Sequence, residues 1–180
     1  MLTVCIPPTE QWDERKNEFV YANGGTLQLE HSLVSISKWE SRWNTPFLTK
    51  DKKTSEQLLD YIRCMTITQN VSPSIFDNIP KDVINKIIAY INSSMTATTF
   101  SQRDAKGGSR EIITSELIYY WMINYGIPFE CQKWHLNRLL TLIRICNIKS
   151  QPPKKIGRKE LLSRNAQLNA ARRKKLNTRG

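Results

Sequence analysis

The basic charge of this chain is concentrated at its C-terminus. Residues 151–180 contain ten lysines and arginines and one acid, Glu160, so they supply +9 of the net charge of +11. The first 150 residues are nearly balanced, with 17 basic and 15 acidic side chains. Charge confined to one end indicates a nearly neutral domain with a basic arm, rather than a fold with one basic face. We therefore predict one domain, the body, over 1–150 and a separate basic arm over 151–180.

The body is long enough to fold without metal or disulfide support, because about 150 residues can bury an ordinary hydrophobic core. Four cysteines, Cys5, Cys64, Cys131 and Cys146, lie in apolar segments without a CxxC pair. This usage is typical of buried free thiols in a reducing compartment. No segment approaches the roughly 20 apolar residues of a membrane span, and the N-terminal apolar run is too short for a signal peptide. We expect a soluble cytoplasmic protein.

Short β-branched runs near the N-terminus predict a small antiparallel element over residues 1–31. The run Leu2–Ile6 ends at Pro7 and Pro8, and residues 26–29 follow a Gly-Gly turn. Residues 18–21 add a possible third strand. The apolar and polar residues alternate imperfectly, so the sequence leaves the register open.

Helical signals follow the β element. Ser32 can cap a helix that places Leu33, Ile36, Trp39 and Trp43 on one face, although residues 34–37 also alternate as a strand would. Thr54 and Gln57 match a capping box and predict a helix over 55–66. Pro80 suits the first turn of a further helix. Its apolar stripe consists of Val83, Ile84, Ile87, Ile88 and Ile91.

A helical hairpin is predicted near the end of the body. Residues 112–124 are apolar almost all round, so this helix should be central or cover a partner. Gly126 ends it, and a second helix over about 129–147 places Leu136, Leu139 and Ile143 on one face. A DNA-binding helix-turn-helix is a weaker reading, because the first helix is too apolar.

The polar segment 101–110 is the best candidate for a mobile loop. The predicted fold class is α+β: a small N-terminal antiparallel β element, a mainly helical body and a basic C-terminal arm that is helical or disordered.

No constellation of residues in the sequence points to catalysis. Cys131 and His135 are spaced i, i+4, which would suit two ligands of one metal or a thiolate and its base. His31 is the only other histidine, and no second close pair completes a zinc site. Gly107 and Gly108 lack the surrounding residues of a phosphate-binding loop. We therefore predict a protein that is not an enzyme, with no metal and no cofactor.

Two groups of residues are candidates for partner binding. Trp39, Trp43 and Phe47 come at a predicted helix end and in the loop after it, and would form a contact surface if exposed. The basic arm has several possible uses: covering an acidic protein surface, binding phosphates without sequence preference, or remaining a solvated tail. It contains no Phe, Tyr or Trp on which bases could stack, so a protein partner ranks above nucleic acid. The candidate contacts in the arm are Arg158, Arg164, Arg172, Arg173, Lys174 and Lys175.

Several segments resemble a protein encoded in the tail gene clusters of long-tailed phages and prophages of Gram-positive bacteria, the tail assembly chaperone type. The segments are HSLVSISKWESRWNTPFLTK from His31, YIRCMTIT from Tyr61, MTATTF from Met95, TSELIYYWMINYGIPFECQKWHLNRLLTLIRIC from Thr114, and the ending NAARRKKLNTRG. The resemblance covers most of the chain. It implies a non-enzymatic helper in the host cytoplasm that binds the long, apolar, helical tape measure protein and keeps it soluble while the tail tube polymerises. Alternatives are a phage nucleic-acid-binding protein and a structural head-to-tail or tail component of the virion.

Overall fold

The computed structural model describes residues 1–13, 17–22, 24–100, 111–151 and 157–177. Within these ranges, short antiparallel strands at the N-terminus precede a series of helices, so the fold class is α+β, as predicted. The chain divides into two compact units, Met1–Asn147 and Ile148–Gly180. The predicted loop 101–110 lies outside the described residues.

The N-terminal strands form one two-stranded ribbon. They are β1 (Leu2–Ile6), β2 (Thr9–Asp13), β3 (Glu18–Ala22) and β4 (Gly25–Leu29). β1 pairs with β4 and β2 pairs with β3, both antiparallel. The register is continuous from Leu2 opposite Leu29 to Asp13 opposite Glu18, so the two pairs are consecutive parts of a single long hairpin. The strands predicted at 2–6, 18–21 and 26–29 are confirmed, whereas β2 was not predicted.

The ribbon is interrupted at Pro7 and Pro8, which lie across from Gly24. A Cβ atom on Gly24 would lie 2.5 Å from the Ile6 carbonyl oxygen and 2.5 Å from the Pro8 nitrogen. Such distances are too short for any side chain, so the close approach of the two backbones requires glycine. The regular pairing of β1 with β4 ends next to this position.

The helices are α1 (Leu33–Trp43), α2 (Ser55–Met65), α3 (Ser74–Asp77), α4 (Lys81–Asn92), α5 (Ser115–Asn124), α6 (Leu136–Ser150) and α7 (Arg158–Leu176), with a 3₁₀ helix at Phe129–Lys133. Capping boxes at Ser32 and Thr54 start α1 and α2, so both predicted caps are confirmed. Pro80 is the N-cap of α4 rather than its first residue. The buried stripe of α4 is narrower than predicted, because Val83 and Ile87 are buried but Ile88 is exposed.

The core of the first unit lies between the ribbon and the helices. Val4, Ile6, Leu27 and Leu29 alternate along β1 and β4 and are all buried on one face. α1 packs against α2 and α5, which makes α1 the central helix.

The second helix of the predicted hairpin is broken. Residues 129–147 form a 3₁₀ helix, an extended Trp134 and then α6, instead of one continuous helix. The break has a long-range cause: Ser32 and His135 form an antiparallel bridge, and the Leu136 N–H donates to the His31 carbonyl at 2.7 Å. Gly126, at φ +63°, ends the α5 region as predicted.

Candidate interaction surfaces

The proposed contact surface of Trp39, Trp43 and Phe47 is mostly buried. Trp39 and Phe47 are in the core, and Trp43 is half-buried. The indole N–H of Trp39 donates to the Gln57 carbonyl at 3.0 Å, and that of Trp43 donates to the Asp60 carboxylate at 3.0 Å. The prediction that these three residues form a partner-binding surface is therefore corrected for Trp39 and Phe47, which join α1 to α2 instead.

A buried carboxylate explains why the loop after α1 turns back into the core. Glu40 accepts a hydrogen bond from the Phe47 N–H at 2.7 Å through one oxygen and from the Ser115 N–H at 2.8 Å through the other. Ser115 is the first residue of α5, where unpaired N–H groups and the helix dipole favour a negative charge. Glu40 thus connects α1, the 44–53 loop and α5. Sequence reasoning missed it, because Ser115 is 75 residues away.

The two histidines belong to a buried cluster beside α1. Nδ1 of His31 shares a 2.5 Å hydrogen bond with the Tyr61 hydroxyl, and the rings of His31 and His135 are 5.0 Å apart. Nε2 of His135 donates to the Tyr90 carbonyl at 3.0 Å, which leaves its Nδ1 buried without a hydrogen-bond partner in the described part of the chain. Burial lowers the pKa of His31 to about 3 and also lowers the pKa of His135. Both imidazole rings are therefore neutral and buried, and each connects two parts of the fold through a hydrogen bond.

The Cys131 and His135 pair does not lie on one helix, because the 3₁₀ helix ends before His135. Among the residues that the structure describes, no group of three or more His, Cys, Asp and Glu side chains is placed to hold a metal ion. Cys64 and Cys131 are buried, as expected of structural thiols, but Cys5 is exposed, which corrects the prediction for that residue. None of the described helices is both long and apolar enough to cross a bilayer.

Among the described helices of the body, α5 has the most exposed large apolar side chains. Ile118 and Met122 are fully buried, whereas Tyr120 is 60% exposed and Ile123 is 65% exposed. Tyr120 and Ile123 are three residues apart and therefore neighbours on the helix surface, which we call the α5 face. Phe129, just after the turn that follows α5, is also exposed. Of the two predicted alternatives, a central helix or a helix that covers a partner, the structure does not support the first, because α5 lies at the surface and exposes Tyr120 and Ile123 beside the polar residues Glu116 and Asn124. The second alternative stays a prediction.

A second group of exposed aromatic residues lies on the far half of the ribbon. Trp12 and Phe19 are directly opposite in the β2–β3 register, and their rings meet edge to face at 4.9 Å. Tyr21 is exposed two residues further along β3, on the same side as Phe19. These residues were not predicted as contacts.

The basic arm contains a regular helix, α7, whose described side chains are all exposed. All described side chains from 161 to 177 in and after α7 are exposed, including Arg164, while the side chain of Arg158 lies outside the described part of the structure. The basic residues of its last turn suit the negative end of the helix dipole. These are Arg173, Lys174 and Lys175, with Arg172 immediately before them. The predicted helical form of the arm is thus present, with every described basic side chain open to solvent.

Comparisons with models of known protein families, with curated proteins and with solved structures found no match to this chain.

Proposed function

We propose that this protein is a non-enzymatic tail assembly chaperone of a long-tailed phage, which binds the tape measure protein in the host cytoplasm before the tail assembles. The observation that carries the proposal is the α5 face. The longest segment with the family resemblance begins at Thr114 and contains α5, and Tyr120, Ile123 and Phe129 are exposed within it. An exposed apolar strip on a helix is suited to pack against another amphipathic or apolar helix.

The physical need for such a partner supports the proposal. A long apolar helix aggregates when it is made before the tube that will enclose it. A nearly neutral body would cover that helix through the α5 face without repelling it. The seven basic residues of α7 would then contact acidic side chains on the same partner, in an arrangement that salt weakens.

Co-expression with the tape measure protein tests this function. We expect the native chain to keep the tape measure protein in the soluble fraction, and the double variant Tyr120→Ser/Ile123→Ser to lose most of this effect. Ile67→Ser is the matched control, because Ile67 is also an exposed apolar residue of the body but lies outside α5. A tape measure protein that is equally soluble with and without the native chain would contradict the proposal.

The arm is tested separately within the same assay. Replacing Arg172, Arg173, Lys174 and Lys175 by glutamine should weaken binding at low salt and have little effect at high salt. Replacing Gln167 and Asn169 by alanine in the same helix leaves the charge unchanged and serves as the control. If the glutamine variant binds the tape measure protein as tightly as the native chain does at low salt, the basic side chains of the arm do not contribute to this binding.

Binding of nucleic acid through the arm is the second candidate function, favoured by four consecutive exposed basic residues at 172–175 of α7. In that case, retention of RNA or DNA on a filter should fall steeply between low and moderate salt, because phosphate contacts release counterions. A chain that ends at Ser150 should not be retained. Tight, arm-dependent retention at moderate salt would favour this function over the chaperone. Detection of the chain in purified particles by mass spectrometry would instead favour a structural virion component.

A further inference from the structure

One edge of the ribbon, along β1, presents backbone groups that are not paired with any strand in the described ranges of the chain. The orientation of the backbone groups follows from the hydrogen bonds on the edge of β4 that faces away from β1. There, the Ile67 N–H donates to the Gln28 carbonyl and the Gln28 N–H donates to Thr68 Oγ1, both at 2.8 Å. The backbone groups of Gln28 therefore point away from β1. Thr3 is paired with Gln28, so the N–H and C=O of Thr3 point away from β4 in the same way.

The alternation of a strand extends this orientation to Cys5, two residues further along β1. In the part of the chain that the structure describes, no other element forms backbone hydrogen bonds with Thr3 or Cys5. The second edge of β4 is covered by residues 65–68, whereas the second edge of β1, beside which α4 packs, accepts no backbone hydrogen bond from any described residue. Such a free edge is a template for another strand.

A cleft of about 550 Å³ lies beside this edge, between β1 and α4. Residues 2–5 form one wall, and the other is lined by Val83, Lys86, Ala89, Tyr90 and Ser93. Lys86 is the only charged side chain among the described residues that line the cleft. A strand added to β1 would therefore place every second side chain against a mostly apolar wall with one positive charge.

The geometry and charge of the cleft indicate which kind of chain it can bind. Two outward peptide groups about 7 Å apart match an extended backbone, whereas the peptide groups of a helix are already bonded internally. The Lys86 ammonium lies 3.8 Å from the Asp82 carboxylate one turn earlier in α4, but both side chains are exposed and such a pair is weak, so Lys86 still favours an acidic residue in the added strand. A second copy of β1, Leu2–Ile6, contains no acid, so charge complementarity favours a different chain.

We propose that the free edge of β1 binds an extended segment of a partner protein by strand addition. The segment alternates apolar and polar residues and places one Asp or Glu beside Lys86. This goes beyond the proposed chaperone function, which uses the α5 face and the arm, because it assigns a separate site and a different form of partner chain.

Amide hydrogen exchange measured by NMR tests the site. The probe is a blocked heptapeptide of alternating valine and threonine with one central glutamate. We expect it to slow exchange of the Thr3 and Cys5 amides by about tenfold or more, since each gains a backbone hydrogen bond. The same peptide N-methylated on the amides that face β1 should give no slowing. Unchanged exchange at millimolar concentrations of the first peptide would overturn the proposal.

Charge reversal tests the role of Lys86 without disturbing β1. Lys86→Glu should bind the glutamate peptide two- to fivefold more weakly and should prefer a matched peptide with lysine in place of glutamate. Lys81→Glu is the control, because Lys81 is exposed on α4 but does not line the cleft. An unchanged preference in Lys86→Glu would overturn the proposed chemistry. If exchange of the Thr3 and Cys5 amides slows without peptide as the protein concentration rises, the edge binds a second copy of this chain. That result would also overturn the proposal.

Discussion

α1 and α5 both contain clustered aromatic residues, yet they expose them very differently. In α1 the apolar residues form one stripe, and Leu33, Ile36 and Trp39 are almost completely buried. α5 has apolar residues on more than one side, so packing one side against α1 leaves Tyr120 and Ile123 in solvent, beside the polar residues Glu116 and Asn124. One neighbouring element can bury a narrow apolar stripe, whereas a helix with apolar residues on more than one side needs a second neighbour or a partner to bury them all. The comparison indicates that apolar residues opposite a buried face, rather than aromatic content, mark a candidate contact surface.

The largest expected effect comes from the buried aromatic residues of α1. Trp39→Ala should lower the free energy of unfolding by about 3–5 kcal/mol, because it removes a fully buried side chain and leaves a cavity. Tyr120→Ala on α5 should change it by at most about 0.5 kcal/mol. Urea unfolding followed by circular dichroism measures both. Similar losses for the two variants would remove the distinction between the helices.

The connection between the two helices should be comparably sensitive. Glu40→Ala leaves the Phe47 and Ser115 N–H groups without their acceptor, at a cost of about 1–3 kcal/mol for each group. Glu40→Gln keeps one oxygen acceptor, so we expect a smaller loss. Urea unfolding of the two variants tests the order, and a loss in Glu40→Gln as large as in Glu40→Ala would show that the negative charge matters more than the hydrogen bonds.

The histidine cluster at the start of α1 predicts how stability depends on pH. Because burial lowers the pKa of His31 to about 3, the unfolded chain binds more protons than the folded chain below pH 6.5. Stability should be fully present above pH 6.5 and fall as the pH decreases, by at most about 1.4 kcal/mol per pH unit for each histidine. Urea unfolding between pH 7 and pH 5 measures the slope. His31→Gln should flatten it, and a rise in stability towards pH 5 would contradict the assignment.

The smallest effect is expected for Ile123 on the exposed side of α5, and the buried Ile118 of the same helix provides the contrast. Ile118 and Ile123 are the same residue type in one helix, but the first is fully buried and the second is 65% exposed. Ile118→Ala should cost about 2–5 kcal/mol, and Ile123→Ala should change stability by no more than about 0.5 kcal/mol. A large loss in Ile123→Ala, measured by thermal unfolding, would mean that this side of α5 is packed rather than available.

Local features were predictable from the sequence. Ser32 and Thr54 start helices through side chains that bond within their own first turns, so neighbouring residues contain the whole signal. The β-branched runs of the ribbon and Gly126 are similar cases. Each of these depends on fewer than about six consecutive residues.

Features that depend on distant residues were missed. The break before α6 exists because His135 pairs with Ser32, which no local pattern near His135 indicates. Trp39 and Phe47 were predicted as contacts, but Glu40 draws Phe47 inward through a backbone N–H that has no sequence signature. The sequence also indicated that α5 needed a cover on more than one side, without revealing which residues would remain exposed.

Affinity for the tape measure protein tests the central claim most directly. Isothermal titration with an apolar helical peptide from that protein should give binding to the native chain, and about tenfold or weaker binding to Tyr120→Ser/Ile123→Ser at unchanged stability. Ile67→Ser should bind like the native chain. Equal affinity of the native chain and the α5 double variant would contradict the claim that the α5 face is the chaperone surface.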